Sequence, residues 1–92
     1  MQNFRRHLGQ RFSEGSRLLW LALGTERLSI AQAAARLGWH RGNLARALYG
    51  DSKPGIDALV VVEQTFAVPV GAWAVEPTET FVPPALEEEG AA

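Results

Sequence analysis

The hydrophobic positions of this 92-residue chain recur with the spacing of α-helices. A largely apolar stretch from about 16 to 24 predicts a first, mostly buried helix, with Ser13 or Ser16 as its N-cap. A second helical pattern begins after Ser29, a favourable N-cap, and ends at Gly38, where glycine suits the left-handed end of a helix. The apolar residues of this second helix form a stripe about 100° wide: Ile30, Ala33, Ala34 and Leu37.

A third helix is predicted from about His40 to Tyr49, closed by Gly50. Its apolar arc consists of Leu44, Ala47 and Leu48. The opposite arc is basic or small and holds Arg41, Gly42, Ala45, Arg46 and Tyr49. The next five residues, 51–55, have the composition of a turn.

Residues 56–67 have the pattern of a fourth helix that buries Leu59, Val62 and Phe66. The three valines at 60–62 also fit a strand, but their flanking residues favour a helix. Pro69 begins a last short turn that runs through Trp73 and Ala74. We expect the aromatic residues Trp20, Phe66 and Trp73 to lie in the core rather than in a binding site.

The two ends of the chain differ in character from the middle. Phe4, Leu8 and Phe12 are spaced by four residues, which predicts either a short amphipathic helix or the start of the first long one. Beyond position 76 the chain contains prolines and the acidic run Glu87–Glu89 without helical periodicity, so we expect an extended arm or disorder. The predicted division is a basic N-terminal arm or helix over 1–15, a domain over 16–75 and an acidic tail over 76–92.

Residues 29–49 carry the pattern with the clearest functional meaning. Two short helices are separated by a turn that begins with glycine, and the second has an apolar inner face and a basic outer face. This arrangement predicts a helix-turn-helix, in which the second helix enters the major groove of DNA and the first supports it. The N-terminus of the first helix, at Ser29, is then directed at a phosphate.

Residues 28–44, LSIAQAAARLGWHRGNL, resemble the family of Cro and phage-repressor-like domains, the XRE-type helix-turn-helix proteins. Segments 54–59 and 66–70 resemble the family's fourth helix and the entry to its fifth, so that the likeness covers about residues 16–75. The resemblance implies an all-α fold, a compact five-helix bundle like that of lambda repressor. It also implies binding to double-stranded DNA, frequently as a homodimer on an inverted repeat.

The resemblance also assigns roles to individual residues. Arg41, Gly42 and Arg46 take positions that read base edges, and Asn43 one that contacts base or phosphate. Arginine pairs with guanine O6 and N7, so we expect at least one G·C pair in each half-site. His40 takes a position that often contacts phosphate. The full set of predicted phosphate or backbone contacts is Ser29, His40, Trp39, Lys53, Arg36, Arg5 and Arg6.

The chain departs from the family's pattern in three places. Ile30 replaces a glutamine that contacts the DNA backbone, so that contact is expected to be absent. Leu23 and Leu48 replace a buried Arg–Glu pair, and packed hydrophobic residues can replace such a pair without loss of stability. Trp39 is bulkier than the usual turn residue, and it either packs over the core or reaches the DNA backbone.

The charge distribution points to an anionic partner for the first part of the chain. Residues 1–53 contain nine basic and three acidic residues, a net charge of +6, whereas residues 54–92 contain seven acidic and no basic residues. The N-terminal arginines are either a basic arm on phosphates or ordinary helix surface. The acidic run is either a solubilising tail or a segment that competes with DNA for the basic face. Arg41 and Arg46 could likewise be only the solvated face of a surface helix.

Several classes of protein are disfavoured by composition. The absence of cysteine excludes a disulfide scaffold, a thiolate zinc site and a cysteine nucleophile. Two histidines do not make a metal cluster, and no nucleophile or acidic pair accompanies His40, so we expect neither an enzyme nor a cofactor. The longest apolar run, Leu18–Leu23, is far shorter than a membrane span and imitates a secretory signal poorly, which favours a cytoplasmic protein.

These patterns together predict a small, sequence-specific DNA-binding transcriptional regulator, dimeric through residues around Val70–Val75 with Phe81 and Val82. The alternative is an antitoxin or an adaptor on the same fold that binds a protein partner through the acidic tail.

Overall fold

The computed structural model describes residues 7–83, and this part of the chain is all-α, as predicted. It contains four α-helices and one short 3₁₀ helix, and no strand occurs among these residues. The elements are α1 (Glu14–Glu26), α2 (Ile30–Leu37), α3 (Arg41–Tyr49), α4 (Ile56–Phe66) and the 3₁₀ helix (Val70–Ala74). The 3₁₀ helix stands where the resemblance implies a fifth helix.

The helix boundaries follow from local capping chemistry. The Ser13 side chain accepts a hydrogen bond from the Ser16 amide at 3.2 Å, which begins α1 two residues before the predicted start. Ser29 caps α2 as predicted. Gly15 lies within α1 despite its low helix propensity, because a Cβ there would overlap the indole ring of Trp73.

A single core joins the four helices and the 3₁₀ helix. α1 packs on the 3₁₀ helix and on α3, and α2 packs on α3 and α4. Leu23 and Leu48 are both buried. The three valines at 60–62 are helical, which excludes the strand alternative. The largest fully buried apolar side chains are Tyr49, Leu19, Leu44, Leu48 and Val62.

Tyr49 corrects the predicted faces of α3. The periodicity places Tyr49 on the outer arc, but its side chain is only 1% exposed. The ring of Trp20 packs edge-on against it, with centroids 5.3 Å apart, and the amide of Gly9 donates to its carbonyl oxygen at 2.7 Å. The prediction is wrong because α1 and the segment before it cover the last turn of α3.

The segment before α1 is not helical within the described residues. Residues 7–12 contain one turn and no helix. The alternative in which these residues form the start of the first long helix is therefore wrong. Arg5 and Arg6 lie outside the described residues, as does Phe4.

Residues 76–83 contain neither helix nor strand and pack on α1, and we call this segment the strap. The ring of Phe81 stacks on Phe12, with centroids 5.5 Å apart, and on Trp20, with centroids 5.9 Å apart. Pro83 at its end is buried. The first part of the predicted tail therefore has no helix and packs against the domain, whereas the acidic run Glu87–Glu89 lies outside the described residues.

None of the helices in residues 7–83 combines the length and the apolar character that crossing a membrane requires.

Candidate nucleic-acid interface

α2 and α3 are joined by a turn of three residues, Gly38, Trp39 and His40. Gly38 ends α2 in the left-handed conformation, with φ of 73°. The amides of Gly38 and Trp39 donate to the carbonyl oxygens of Ala35 and Ala34 at 3.2 and 2.9 Å. These bonds satisfy the last carbonyl groups of α2 and fix the direction in which the chain enters α3.

The N-terminus of α3 is capped by a histidine side chain. Nδ1 of His40 accepts a hydrogen bond from the Gly42 amide at 3.1 Å. In the neutral ring this bond assigns the proton to Nε2. His40 is exposed, so its Nε2–H is a hydrogen-bond donor beside the first turn of α3.

α3 buries one face and exposes the other. Leu44, Ala47 and Leu48 are buried, whereas Arg41, Asn43 and Arg46 are exposed. Nη2 of Arg46 donates to Oδ1 of Asn43, one turn earlier on the same face. This bond orders the guanidinium group of Arg46 beside the amide of Asn43, and four further N–H donors of the guanidinium remain for a ligand.

Packing among residues 7–83 does not require a glycine at position 42. A Cβ at this position would lie 3.4 Å from Nδ1 of His40, an ordinary van der Waals distance. The absence of a side chain instead leaves room for close approach of another molecule to the first turn of α3.

A shallow depression of about 380 Å³ lies between the turn, α3 and the start of α4. It brings together four of the predicted contact residues, Trp39, His40, Asn43 and Arg46. Trp39 is half-buried and packs against the core, which is one of the two alternatives predicted for this residue. The other lining residues are Gly38, Ser52, Pro54, Gly55 and Ala58.

Three residues predicted to contact the DNA backbone lie outside this depression. Nη1 of Arg36 forms an ion pair with Oε1 of Glu26 at 2.5 Å, so a phosphate would compete with this carboxylate. Lys53 is exposed and lines a second depression of about 190 Å³, which Arg11 also lines. The Ser29 hydroxyl oxygen accepts from the Gln32 amide at 3.1 Å and serves as the cap of α2.

One polar cluster, at the start of α1, is not predicted by the sequence patterns. Nε and Nη2 of Arg17 donate to the two carboxylate oxygens of Glu14 at 2.8 and 2.6 Å. The amide of Thr78 in the strap donates to Oε1 of Glu14 at 2.9 Å. The Arg17 guanidinium, the bond from Thr78 and the nearby positive charge together lower the pKa of Glu14 to about 2. The i, i+3 spacing of Glu14 and Arg17 is typical of an ion pair on a helix. The sequence does not indicate that Thr78 of the strap packs on this pair.

No group of His, Asp and Glu side chains suited to hold a metal ion occurs in residues 7–83. Comparisons with protein-family models, with curated proteins and with solved structures found no match to this chain.

Proposed function

We propose that this chain is a sequence-specific regulator of transcription that binds double-stranded DNA, related to the Cro and phage-repressor-like domains. In this proposal α2, the three-residue turn and α3 form a helix-turn-helix, with α3 in the major groove. The observation that carries the proposal is the exposed face of α3, which presents Arg41, Asn43 and Arg46 directly after a tight turn, while its opposite face is buried.

The chemistry of that face suits base recognition. Arginine donors match guanine O6 and N7, and a good bidentate pair contributes about 1–3 kcal/mol of discrimination. Asn43 can contact base or phosphate, and its bond to Arg46 limits the conformations of both side chains before binding. Gly42 permits close approach of the helix to the base edges.

Phosphate contacts would come from groups around the base-reading face. His40 offers its Nε2–H beside the start of α3, and Trp39 and Ser29 lie at the turn and at the start of α2. Lys53 lies exposed in the loop after α3, and Arg5, Arg6 and Arg36 complete the proposed set. These contacts supply salt-dependent affinity that does not depend on sequence.

We also propose that the chain forms a homodimer. In each copy the 3₁₀ helix takes the place of the fifth helix of the bundle. A single domain of this size makes few base contacts, and two half-sites together give tighter binding. Of the residues expected at the dimer surface, Trp73 is buried and Phe81 is stacked within the chain. Val75 and Val82 remain, 53% and 54% exposed, and are the apolar side chains offered to a second copy.

The proposal is tested by selecting duplexes from a random DNA pool and from the upstream region of the chain's own gene. The selected duplex is then titrated by fluorescence anisotropy at two salt concentrations. We expect tight, sequence-selective binding that weakens with salt and is lost in the Arg41→Ala/Arg46→Ala double variant. An inverted repeat in the selected sequences supports the homodimer, and a lone half-site opposes it.

The matched control is Arg27→Asn. Arg27 is exposed at the end of α1 and is not among the proposed DNA contacts, and its φ of 57° is one that asparagine tolerates. This variant removes a positive charge outside the proposed interface and should bind the selected duplex nearly as well as the parent. Absence of binding at low salt by the parent chain would refute the proposal and direct the search to a protein partner, as an antitoxin or adaptor requires.

A further inference from the structure

The C-terminal end of α3 is held by hydrogen bonds to four consecutive carbonyl oxygens. The Ser16 hydroxyl donates to Ala47 at 2.9 Å, and the Trp20 indole N–H donates to Leu48 at 2.7 Å. The amides of Gly9 and Arg11 donate to the next two carbonyl oxygens, those of Tyr49 and Gly50, at 2.7 and 2.9 Å. Carbonyl groups at a helix C-terminus lack i+4 partners within the helix, so these four donors tie the end of α3 to α1 and to the segment before it.

Phe81 of the strap packs on Trp20 and beside the segment of Gly9 and Arg11, which together supply three of the four donors. Its ring stacks on Trp20, whose indole binds Leu48, and on Phe12, which follows the segment that binds the last two carbonyl oxygens. The approach of that segment is close, because a Cβ on Gly9 would overlap the carbonyl group of Gly50. The strap therefore packs on the residues that carry or adjoin three of the four donors.

The strap is also attached at its beginning. The carbonyl oxygen of Val75 accepts from the Glu14 amide at 3.0 Å. Thr78 donates its amide to the Glu14 carboxylate and accepts from Nη2 of Arg17 at 3.0 Å. Two separate attachments, one polar and one aromatic, thus hold the strap against α1.

We propose that the strap sets the position of α3 and thereby the affinity of its outer face for DNA, with Phe81 as the positioning residue. The part of this inference that concerns DNA rests on the proposed function. A ligand or protein that displaces the strap would loosen the donors at the end of α3 and weaken DNA binding without touching the DNA-binding face.

The test compares Phe81→Ala with Thr80→Ala, a neighbouring exposed position in the same strap. Hydrogen exchange is measured by NMR at the Trp20 indole and at the amides of Gly9 and Arg11. We expect exchange at least about tenfold faster at these three sites in Phe81→Ala than in Thr80→Ala, since the variant loses two aromatic pairs and the loss of one corresponds to up to about that factor. Unchanged exchange would overturn the proposal.

DNA binding provides the second measurement, at a temperature where both variants are fully folded by circular dichroism. We expect Phe81→Ala to bind the selected duplex about tenfold more weakly than Thr80→Ala. Equal affinity despite faster exchange would show that the strap stabilises the fold without positioning α3, and would refute the inference. If Phe81→Ala does not fold, Phe81→Leu, which keeps an apolar side chain without the ring stack, should change both measurements in the same direction.

The two measurements separate this inference from the proposed function. A parent chain that binds no DNA refutes the proposed function, and hydrogen exchange alone then decides whether the strap positions the end of α3.

Discussion

Trp20 in α1 donates its indole N–H to the carbonyl oxygen of Leu48 in the last turn of α3, at 2.7 Å. The bond crosses between the two helices and satisfies a carbonyl group that α3 itself leaves unpaired. The same indole ring packs edge-on against Tyr49. One side chain of α1 therefore supplies both a polar and an aromatic contact to the end of α3.

Trp20→Phe should separate these two contributions. Phenylalanine retains an aromatic ring but has no donor, so the carbonyl oxygen of Leu48 loses its partner. We expect a loss of about 1–2 kcal/mol in the free energy of unfolding, measured by urea denaturation. Trp20→Leu removes both contacts and should be less stable again. Equal stabilities for Trp20→Phe and the parent would show that this hydrogen bond contributes nothing to the fold.

The two glycines that end α2 and α3 should respond unequally to alanine. Gly38 and Gly50 have φ of 73° and 78°, where alanine is strained by about 1–2 kcal/mol. At Gly38 a Cβ meets no atom within 4 Å, whereas at Gly50 it would overlap the backbone of Phe12. Gly38→Ala should therefore lower the free energy of unfolding only by the backbone strain. Gly50→Ala should lower it by about 1–3 kcal/mol more because of the overlap.

Thermal and urea unfolding of the two variants measure this difference directly. A Gly50→Ala variant no less stable than Gly38→Ala would mean that the segment before α1 does not lie against the end of α3.

The ends of α2 and the buried face of α3 could be predicted from the sequence alone. Helix ends depend on signals within a few residues, so Ser29 and Gly38 predicted the bounds of α2 correctly. The periodicity also placed Leu44, Ala47 and Leu48 on the buried face of α3. Both predictions rest on local chemistry.

The errors involve residues far apart in the chain. Tyr49 was expected on the outer face because periodicity cannot show that Trp20 and the segment before α1 cover it. The contact of Arg17 with Thr78 joins residues 61 positions apart, so no local pattern could predict that the strap packs on α1. The shallow depression beside α3 likewise depends on the position of the start of α4 near the turn, which helix periodicity does not specify.

The stability of the chain should fall in acid partly because of Glu14. Arg17, the Thr78 amide and the Thr78 hydroxyl surround this carboxylate, with Glu79 3.9 Å from Arg17 on the other side. Arg17 and the amide and hydroxyl of Thr78 lower the pKa of Glu14 from 4.5 to about 2. A group with a lowered folded-state pKa stabilises the fold fully above its unfolded pKa. That contribution is lost as the pH falls from about 4.5 towards 2.

The measurement is the melting temperature of the parent and of Glu14→Gln between pH 7 and pH 2. We expect the parent to be more stable at neutral pH and the difference to shrink steadily below about pH 4.5. A difference that is independent of pH would show that the charge of Glu14 does not stabilise the folded state.

Gly42→Ala should affect stability and DNA binding in opposite directions. Alanine is a better helix former than glycine, and its Cβ fits beside His40, so the free energy of unfolding should rise by up to about 1 kcal/mol. The added methyl group stands on the face proposed to approach the bases, so affinity for the selected duplex should fall on the order of tenfold. A stabilised variant with unchanged affinity would place the first turn of α3 away from the DNA.

Arg41→Ala and Lys53→Ala should differ in how they weaken DNA binding. Arg41 is proposed to read a base edge, so its loss should remove discrimination at one base pair, by about 1–3 kcal/mol, and affect other positions little. Lys53 is proposed to contact phosphate, so its loss should weaken binding to all duplexes about equally and reduce the salt dependence. Anisotropy titrations against the selected duplex and its single-base variants, at two salt concentrations, measure both effects. If Arg41→Ala lowers affinity equally for every duplex, Arg41 contacts the backbone, and base reading must be reassigned to Asn43 and Arg46.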